Sequence, residues 1–161
     1  VHIEKAAADG AKVVLCTCST IGGCAEQVQL PGCRVIRIDR PMADKAVEIG
    51  TVILVAAALE STIGPTGELI QDSARQAGKQ VRIRDVVCEG AWDRFEQGDN
   101  EGYHERIAKS LRANAEGSDV VVLAQASMAS AAKLCEDLPV PVLSSPELGM
   151  AAAIEALEAL E

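Results

Sequence analysis

The stretch Val13-Val14-Leu15-Cys16-Thr17-Cys18-Ser19-Thr20-Ile21-Gly22-Gly23 decides how the rest of the chain is interpreted. Its apolar run predicts a buried strand, and the hydroxyls and paired glycines after it predict a loop that opens a helix. In open α/β sheets, ligands bind at the carboxyl ends of the strands, which is where Cys18 lies. A thiol beside hydroxyls and a helix N-terminus can act as a nucleophile or a base. Cys18 is therefore the candidate catalytic residue.

Neighbouring cysteines leave alternatives open. Cys18 can instead be a small buried residue, and Cys16, two positions earlier on the same face of the strand, is the alternative reactive thiol. A redox pair is disfavoured because C-x-C forms a strained disulfide. The spacing of Cys16, Cys18, Cys24 and Cys33 matches none of the paired C-x2-C zinc patterns, so we expect no metal site. Cys88 and Cys135 are expected to be structural.

Composition narrows the class of protein. The chain has 161 residues, of which 48% are apolar and only three are aromatic, with a net charge of −9. An acidic chain almost without aromatic side chains argues against nucleic-acid binding. No apolar run approaches the roughly 18 residues that cross a bilayer, and nothing resembles a signal peptide. We expect no membrane partner and a cytoplasmic location with reduced thiols.

Strands that alternate with helices predict parallel βαβ units. The first residues resemble the end of a helix closed by Gly10, and we expect a preceding strand to lie outside this sequence. The predicted strands are 12–16, 34–38, 51–57, 81–87, 120–123 and 140–143. The predicted helices are 22–28, 42–49, a segment that ends near 77, 90–97, 100–115, 128–136 and 146–160.

A weak internal repeat is visible. Ala8–Cys16 resembles Ala115–Leu123 at an offset of 107 positions, and a small hydroxyl-rich stretch, a short helix and an aliphatic strand follow both. The alternative is that any two βαβ units look somewhat alike. If the repeat is real, the chain has two similar lobes whose loops face each other across a cleft. Cys18 then corresponds to Gln125, and Thr20 to Ser127.

Three segments carry a family resemblance: Cys18-Ser19-Thr20, Ser61–Thr66 and Asp119–Met128, each at a predicted strand end. With them the chain resembles the aspartate/glutamate racemase superfamily, which also includes hydantoin racemases, maleate isomerases and arylmalonate decarboxylases. Arg37–Met42 and Pro141–Pro146 resemble one branch of it. The resemblance covers nearly the whole chain but lacks the first strand and helix of the family.

The resemblance implies an α/β fold of two pseudo-symmetric Rossmann-like lobes, with parallel sheets flanked by helices and an active site between them. We expect a first lobe over 1–48, a second over 49–144 and a C-terminal helix over 145–161. Ala152, Ile154 and Leu157 of that helix are expected to dock on the first lobe. Family members are often dimers or larger, so a homo-oligomer is possible.

Racemases of this family use two cysteines, one per lobe, as bases on opposite faces of an acidic carbon. Cys18 matches the first cysteine, and Gln125 stands at the position of the second. A glutamine amide forms hydrogen bonds but transfers no proton at neutral pH. We expect a cofactor-independent racemase, isomerase or decarboxylase with Cys18 as its thiol. Cys18 then protonates an enolate from one face, attacks covalently, or works with another base. The alternative is a non-catalytic carboxylate-binding or regulatory protein.

The expected ligand is a small carboxylate. His104 is a conceivable second base, although an exposed residue in the first turn of a helix is the preferred interpretation. Asp39 and Arg40 are expected to form a surface ion pair rather than to reach the cleft. The resemblance implies that hydroxyls at helix N-termini on one side, and the second lobe on the other, bind the ligand. The predicted binding residues are Ser19, Thr20, Thr62, Thr66, Gln125 and Ser127.

Overall fold

Two parallel sheets organise the chain in the computed structural model, which describes residues 2–160. The smaller sheet pairs β1 (Val13–Cys16) with β2 (Arg34–Arg37). The larger sheet has the strand order β4-β3-β5-β6. Its strands are β3 (Val52–Ala57), β4 (Arg82–Val87), β5 (Val120–Leu123) and β6 (Val142–Leu143).

Helices connect and cover these strands. Their order along the chain is α1 (His2–Ala8), α2 (Ser19–Glu26), α3 (Arg40–Ile49), α4 (Ile63–Gln76), α5 (Ala91–Glu96), α6 (Asn100–Asn114) and α7 (Ser145–Glu158). Two 3-10 helices follow β3 and β5, at Glu60–Thr62 and Ala126–Cys135. The predicted α/β class with parallel sheets flanked by helices is confirmed.

The hydrophobic core lies on both faces of the larger sheet. Alternate residues of a strand point to opposite faces, so β3 sends Leu54 into one cluster and Ile53 into the other. The first cluster includes Tyr103 and Leu111 of α6, and the second includes Met42 of α3. Because both faces are covered, the central strands β3 and β5 are continuous apolar runs, which is typical of parallel sheets, whereas the edge strand β4 carries charged residues.

The internal repeat is confirmed at the level of strand register. In the smaller sheet Val14 pairs with Val35, and in the larger sheet Val121 pairs with Val142. Both partners are thus displaced by the same 107 positions, from 14 to 121 and from 35 to 142. The next pair in each sheet, Leu15 with Ile36 and Val122 with Leu143, keeps that offset. The two loops that carry Cys18 and Gln125 are therefore structural counterparts.

Three details differ from the sequence prediction. The segment predicted as a helix over 128–136 is a 3-10 helix. The residue pattern did not distinguish the two helix types, because α and 3-10 backbones occupy neighbouring φ/ψ regions. Strand β6 is short, since Pro141 has no N–H for a ladder. In α7 the expected docking face is only partly right: Ala152 is half-buried beside β2, but Ile154 and Leu157 are exposed, and Gly149 and Ala156 are buried in their place.

Within residues 2–160, no helix has both the length and the apolar composition needed to cross a membrane. The two sheets occupy 13–37 and 52–143, and α7 contacts α3 and both strands of the smaller sheet. The lobe boundaries at 48 and 144 stay a prediction. The buried residues of α3 belong to the core of the larger sheet.

Candidate functional site

The carboxyl ends of five strands meet at one cavity of about 260 Å³. It lies between the smaller and the larger sheet, because loops after β1 and β2 face loops after β3, β5 and β6. This is the location that the parallel topology predicts for a ligand. The lining residues are Thr17, Cys18, Ser19, Thr20, Ile38, Asp39, Thr62, Ala124, Gln125, Ala126 and Ser145.

Five helices begin at this cavity. Cys18 precedes α2, Asp39 precedes α3, and Gln125 precedes the second 3-10 helix. Thr62 precedes α4, and Ser145 opens α7. None of these five helices is capped by a side-chain hydrogen bond from its N-cap residue. In α2 and the second 3-10 helix the first N–H groups are thus not occupied by such caps and can donate to an anion, whereas α3, α4 and α7 each have a proline in the first turn and the Ile63 N–H of α4 donates to the Glu60 carbonyl.

Helix α6, which begins elsewhere, shows the contrast. Its N-cap residue Asp99 accepts a hydrogen bond from the Gly102 N–H at 2.9 Å. That side chain fills the anion position that the helix N-terminus creates. The helices at the cavity lack such a side chain, as does α5, which begins elsewhere with Gly90 at its N-cap. What sets the cavity apart is that five such helix starts converge on it.

Cys18 is exposed and lines the cavity. Its backbone is extended, so it ends the strand direction just before α2 turns away. Cys16 does not line the cavity, and its thiol donates to the Cys18 carbonyl at 3.7 Å. The geometry therefore favours Cys18 over the alternative Cys16 as the thiol that meets a ligand.

Cys88 and Cys135 are buried in the core of the larger sheet. Burial raises the pKa of the Cys88 and Cys135 thiols, which keeps them protonated. Both residues thus have the structural role predicted for them. Among residues 2–160, no group of three or more histidine, cysteine, aspartate or glutamate side chains is placed to hold a metal ion.

Gln125 faces the cavity from the larger sheet, and its partners determine its orientation. The Ala58 N–H donates to Gln125 Oε1 at 2.6 Å and the Leu59 N–H donates to the same atom at 3.3 Å. Because backbone N–H groups only donate, the amide NH2 of Gln125 lies on the other side. This NH2 has no hydrogen-bond partner within the described residues. Gln125 therefore joins β5 to the end of β3 and keeps two N–H donors for a ligand.

Sequence reasoning missed three polar residues of the lining, Thr17, Asp39 and Ser145, and Asp39 is the charged one. The expectation of a surface ion pair between Asp39 and Arg40 is wrong. Asp39 is 5% exposed, lines the cavity and pairs with Arg37, whereas Arg40 pairs with Glu26 and Asp72. In the sequence, Arg37 and Asp39 at the end of a strand are typical of a solvent-exposed turn. They are buried only because α2 packs over them in the folded structure.

Thr62 lines the cavity, and its hydroxyl donates to the Leu59 carbonyl at 2.8 Å. Two other predicted binding residues lie outside the lining. Thr66 is buried in α4, and its hydroxyl has no hydrogen-bond partner among residues 2–160. The Ser127 hydroxyl lies 2.9 Å from that of buried Tyr103.

His104 is half-buried in α6, not exposed as expected. Its Nε2 lies 3.2 Å from the Ser127 carbonyl oxygen, and it does not line the cavity. Four larger depressions, of about 340 to 510 Å³, lie elsewhere on the described surface, and none contains Cys18 or Gln125. The one between α2 and α4 shares Ser19 and Thr20 with the cavity. The predicted residues that meet at one cavity are Cys18, Ser19, Thr20, Thr62 and Gln125.

Known structures share this architecture. A glutamate racemase from Bacillus anthracis aligns with 98% of this chain and 62% of its own, at 14% identity and a TM-score of 0.65. An aspartate racemase from Picrophilus torridus aligns with 98% of this chain and 66% of its own, at 15% identity and a TM-score of 0.68. This chain thus spans less than two thirds of the length of these racemases.

A glutamate racemase from Thermus thermophilus, solved in complex with β-chloro-D-alanine, covers 95% of this chain with 58% of its own at 18% identity and a TM-score of 0.62. At these identities the likeness concerns the fold. No curated protein matches the sequence. The family model described as Asp/Glu/hydantoin racemase matches residues 2–153. The chain therefore belongs to the Asp/Glu/hydantoin racemase family.

Proposed function

We propose that this protein is a cofactor-independent enzyme that acts at the carbon next to a carboxylate, with Cys18 as its proton-transfer thiol. One observation carries the proposal: an exposed cysteine shares a small cavity with the uncapped N-termini of five helices. The membership in a racemase family supports it.

The first step is the binding of the carboxylate. Ser19 and Thr20 open α2, and Thr62 precedes α4, so hydroxyls and backbone N–H groups converge from both sides of the cavity. Oriented N–H groups bind an anion through local partial charges, which explains how a chain with a net charge of −9 can hold a carboxylate. Thr66 and Ser127 would support these loops from behind.

The second step is proton transfer. The Cys18 thiolate takes the proton from the carbon next to the carboxylate, and the electron pair of the broken C–H bond moves into the carboxylate as an enolate. The N–H donors that hold the carboxylate stabilise this extra charge. Gln125 adds its amide NH2 from the opposite loop. The same thiol then returns a proton to the carbon.

The position of Gln125 determines the stereochemistry that we expect. A two-base racemase needs a second acid on the face opposite the first thiol. Gln125 occupies the counterpart of Cys18 in the repeat, and its amide is neutral at ordinary pH. Chemistry on one face of the substrate carbon follows, such as proton exchange with retention or the protonation that ends a decarboxylation.

The direct test is a pair of proteins, wild type and Cys18→Ala, in D2O. The probes are both enantiomers of aspartate and glutamate, with methylmalonate as the probe for decarboxylation, and NMR follows the signal of the reacting carbon. We expect turnover of at least one probe in the wild type and none in Cys18→Ala with its fold intact by circular dichroism. Full activity of Cys18→Ala would exclude the proposed role of the thiol.

A non-catalytic carboxylate-binding protein is the second candidate, and the orientation of Gln125 favours it. Its amide provides hydrogen bonds at the position where a racemase needs an acid. Calorimetry with the same probes separates the two functions. Binding without any exchange or decarboxylation in the wild type supports the binding protein, and Cys18→Ala should then bind as tightly as wild type.

A further inference from the structure

Arg37 lies behind the turn that carries Cys18. It is the last residue of β2, and it is only 5% exposed. Its guanidinium forms a two-point ion pair with Asp39, with Nε 2.7 Å from Oδ1 and Nη2 2.9 Å from Oδ2. The same Nη2 donates to the Ser19 carbonyl at 3.5 Å. One side chain thus contacts both the cavity wall at Asp39 and the first turn of α2.

Gly22 makes this arrangement possible. A Cβ at Gly22 would lie 2.8 Å from Cζ and Nε of Arg37, which is closer than side-chain carbons approach. Helix α2 therefore contacts the Arg37 guanidinium directly at Gly22. The Asp39 pair holds the guanidinium at two points, so it has little freedom to move aside.

Glu26 completes the contacts at the other end of α2. Its Oε2 lies 3.7 Å from Nη1 of Arg37, and its carboxylate forms two short hydrogen bonds of 2.8 Å with Arg40. Helix α2 is thus attached at its start through Arg37 and at its end through Arg37 and Arg40. Only the first of these attachments lies beside Cys18.

We infer that Arg37, held by Asp39, is a positioning residue that sets the place of the Cys18–Thr20 turn in the cavity. This inference rests on the proposed role of Cys18. A planar guanidinium can bind the Asp39 carboxylate and the Ser19 carbonyl together, whereas a lysine ammonium is a single point charge. A displacement of about 1 Å of a reacting group can reduce turnover about a hundredfold.

The chain offers a matched pair of variants for the test. Gly22→Ala places a methyl group against Arg37, whereas a Cβ at adjacent Gly23 would lie 3.8 Å from Nη1, an ordinary contact. Both substitutions favour helix formation equally. Arg37→Lys is the third variant, because it keeps the positive charge opposite Asp39 and removes the planar guanidinium that binds Asp39 at two points.

Amide hydrogen exchange of the peptide 19–26 is the first measurement, with α6 as the internal reference. We expect exchange in 19–26 at least fivefold faster in Gly22→Ala and in Arg37→Lys, with α6 unchanged, and exchange as in wild type or slower in Gly23→Ala. Equal behaviour of the two glycine variants, or equal acceleration in α6, would overturn the inference. This measurement needs no substrate, so it decides the positioning role even if Cys18 proves non-catalytic.

The second measurement is the turnover of whichever of the aspartate, glutamate or methylmalonate probes the wild-type protein converts. We expect kcat at least tenfold lower in Gly22→Ala and Arg37→Lys, with KM changed less than threefold, because the ligand is held by several loops and the thiol by one. A rise in KM at constant kcat would overturn the inference and indicate that Arg37 supports ligand binding instead.

Discussion

Single residues define what this site can do, and Gln125 is the clearest case. Its Oε1 accepts from the N–H groups of Ala58 and Leu59, and its NH2 remains for a ligand. The amide oxygen thus has a structural role, and the NH2 is the group that we propose for ligand binding. Substitutions that change the two halves separately can distinguish them.

Gln125→Glu and Gln125→Leu form such a pair. Glutamate keeps an acceptor for both N–H groups, so we expect near wild-type stability, but its charge replaces the NH2 and should weaken carboxylate binding at least tenfold. Leucine leaves two N–H groups unpaired and should lower the free energy of unfolding by about 1–3 kcal/mol. Urea denaturation and calorimetry measure the two effects. Loss of stability in Gln125→Glu comparable to that in Gln125→Leu would contradict this division.

The sequence predicted the residues of the site that local chemistry marks. Cys18, Ser19 and Thr20 follow an apolar strand, and the repeat placed Gln125 opposite Cys18. Asp39 was missed because its burial depends on Arg37 beneath α2, a tertiary contact between positions 18 residues apart. Polar residues at a strand end look the same in sequence whether they face water or a cavity.

At the scale of elements, two close contacts fix the helices and strands around the cavity. Gly149 brings α7 against the end of β2, because a Cβ there would overlap the Ile38 carbonyl oxygen. Asp119 joins the starts of β3 and β5. Patterns of apolar residues predicted these elements well, but such contacts and the 3-10 form of Ala126–Cys135 depend on the packed structure.

Gly149→Ala should lower the free energy of unfolding by about 1–3 kcal/mol, since α7 must move away from Ile38, which lines the cavity. Gly67→Ala is the matched control in α4. Its Cβ would lie 3.9 Å from Ile83, and we expect a gain of about 0.5–1 kcal/mol from helix propensity. Chemical denaturation of both variants tests this, and equal effects would refute the close approach of α7.

Asp119 predicts a pH dependence. Hydrogen bonds from the N–H groups of Val52 and Thr51 lower the pKa of Asp119 below its ordinary value of 3.8. Its stabilising contribution is therefore present at neutral pH and is lost as the pH falls through the folded-state pKa. Between about pH 6 and pH 3, Asp119→Asn should lose less stability than wild type. Parallel loss in the two proteins, measured by urea titration, would rule out this contribution.

At the scale of the whole molecule, a strand pair is repeated, with Cys18 in the loop after one copy and Gln125 in the loop after the other. The same strand register occurs twice, and the two loops that it positions face each other across a cavity surrounded by helix N-termini. Arg40 connects the two halves, because it contacts Glu26 of α2 and Asp72 of α4. The repeat was detectable in the sequence because it preserves spacing, whereas the width of the cavity is set by side chains from distant segments.

The stereochemistry of exchange tests the central claim most directly. A single enantiomer of the exchanging carboxylate is incubated with wild-type protein in D2O, and chiral chromatography with mass spectrometry follows both label and configuration. With Cys18 as the sole proton-transfer group, deuterium should enter while the original enantiomer persists. Appearance of the opposite enantiomer at a rate comparable to that of exchange would show a second acid at the face of Gln125 and contradict the account.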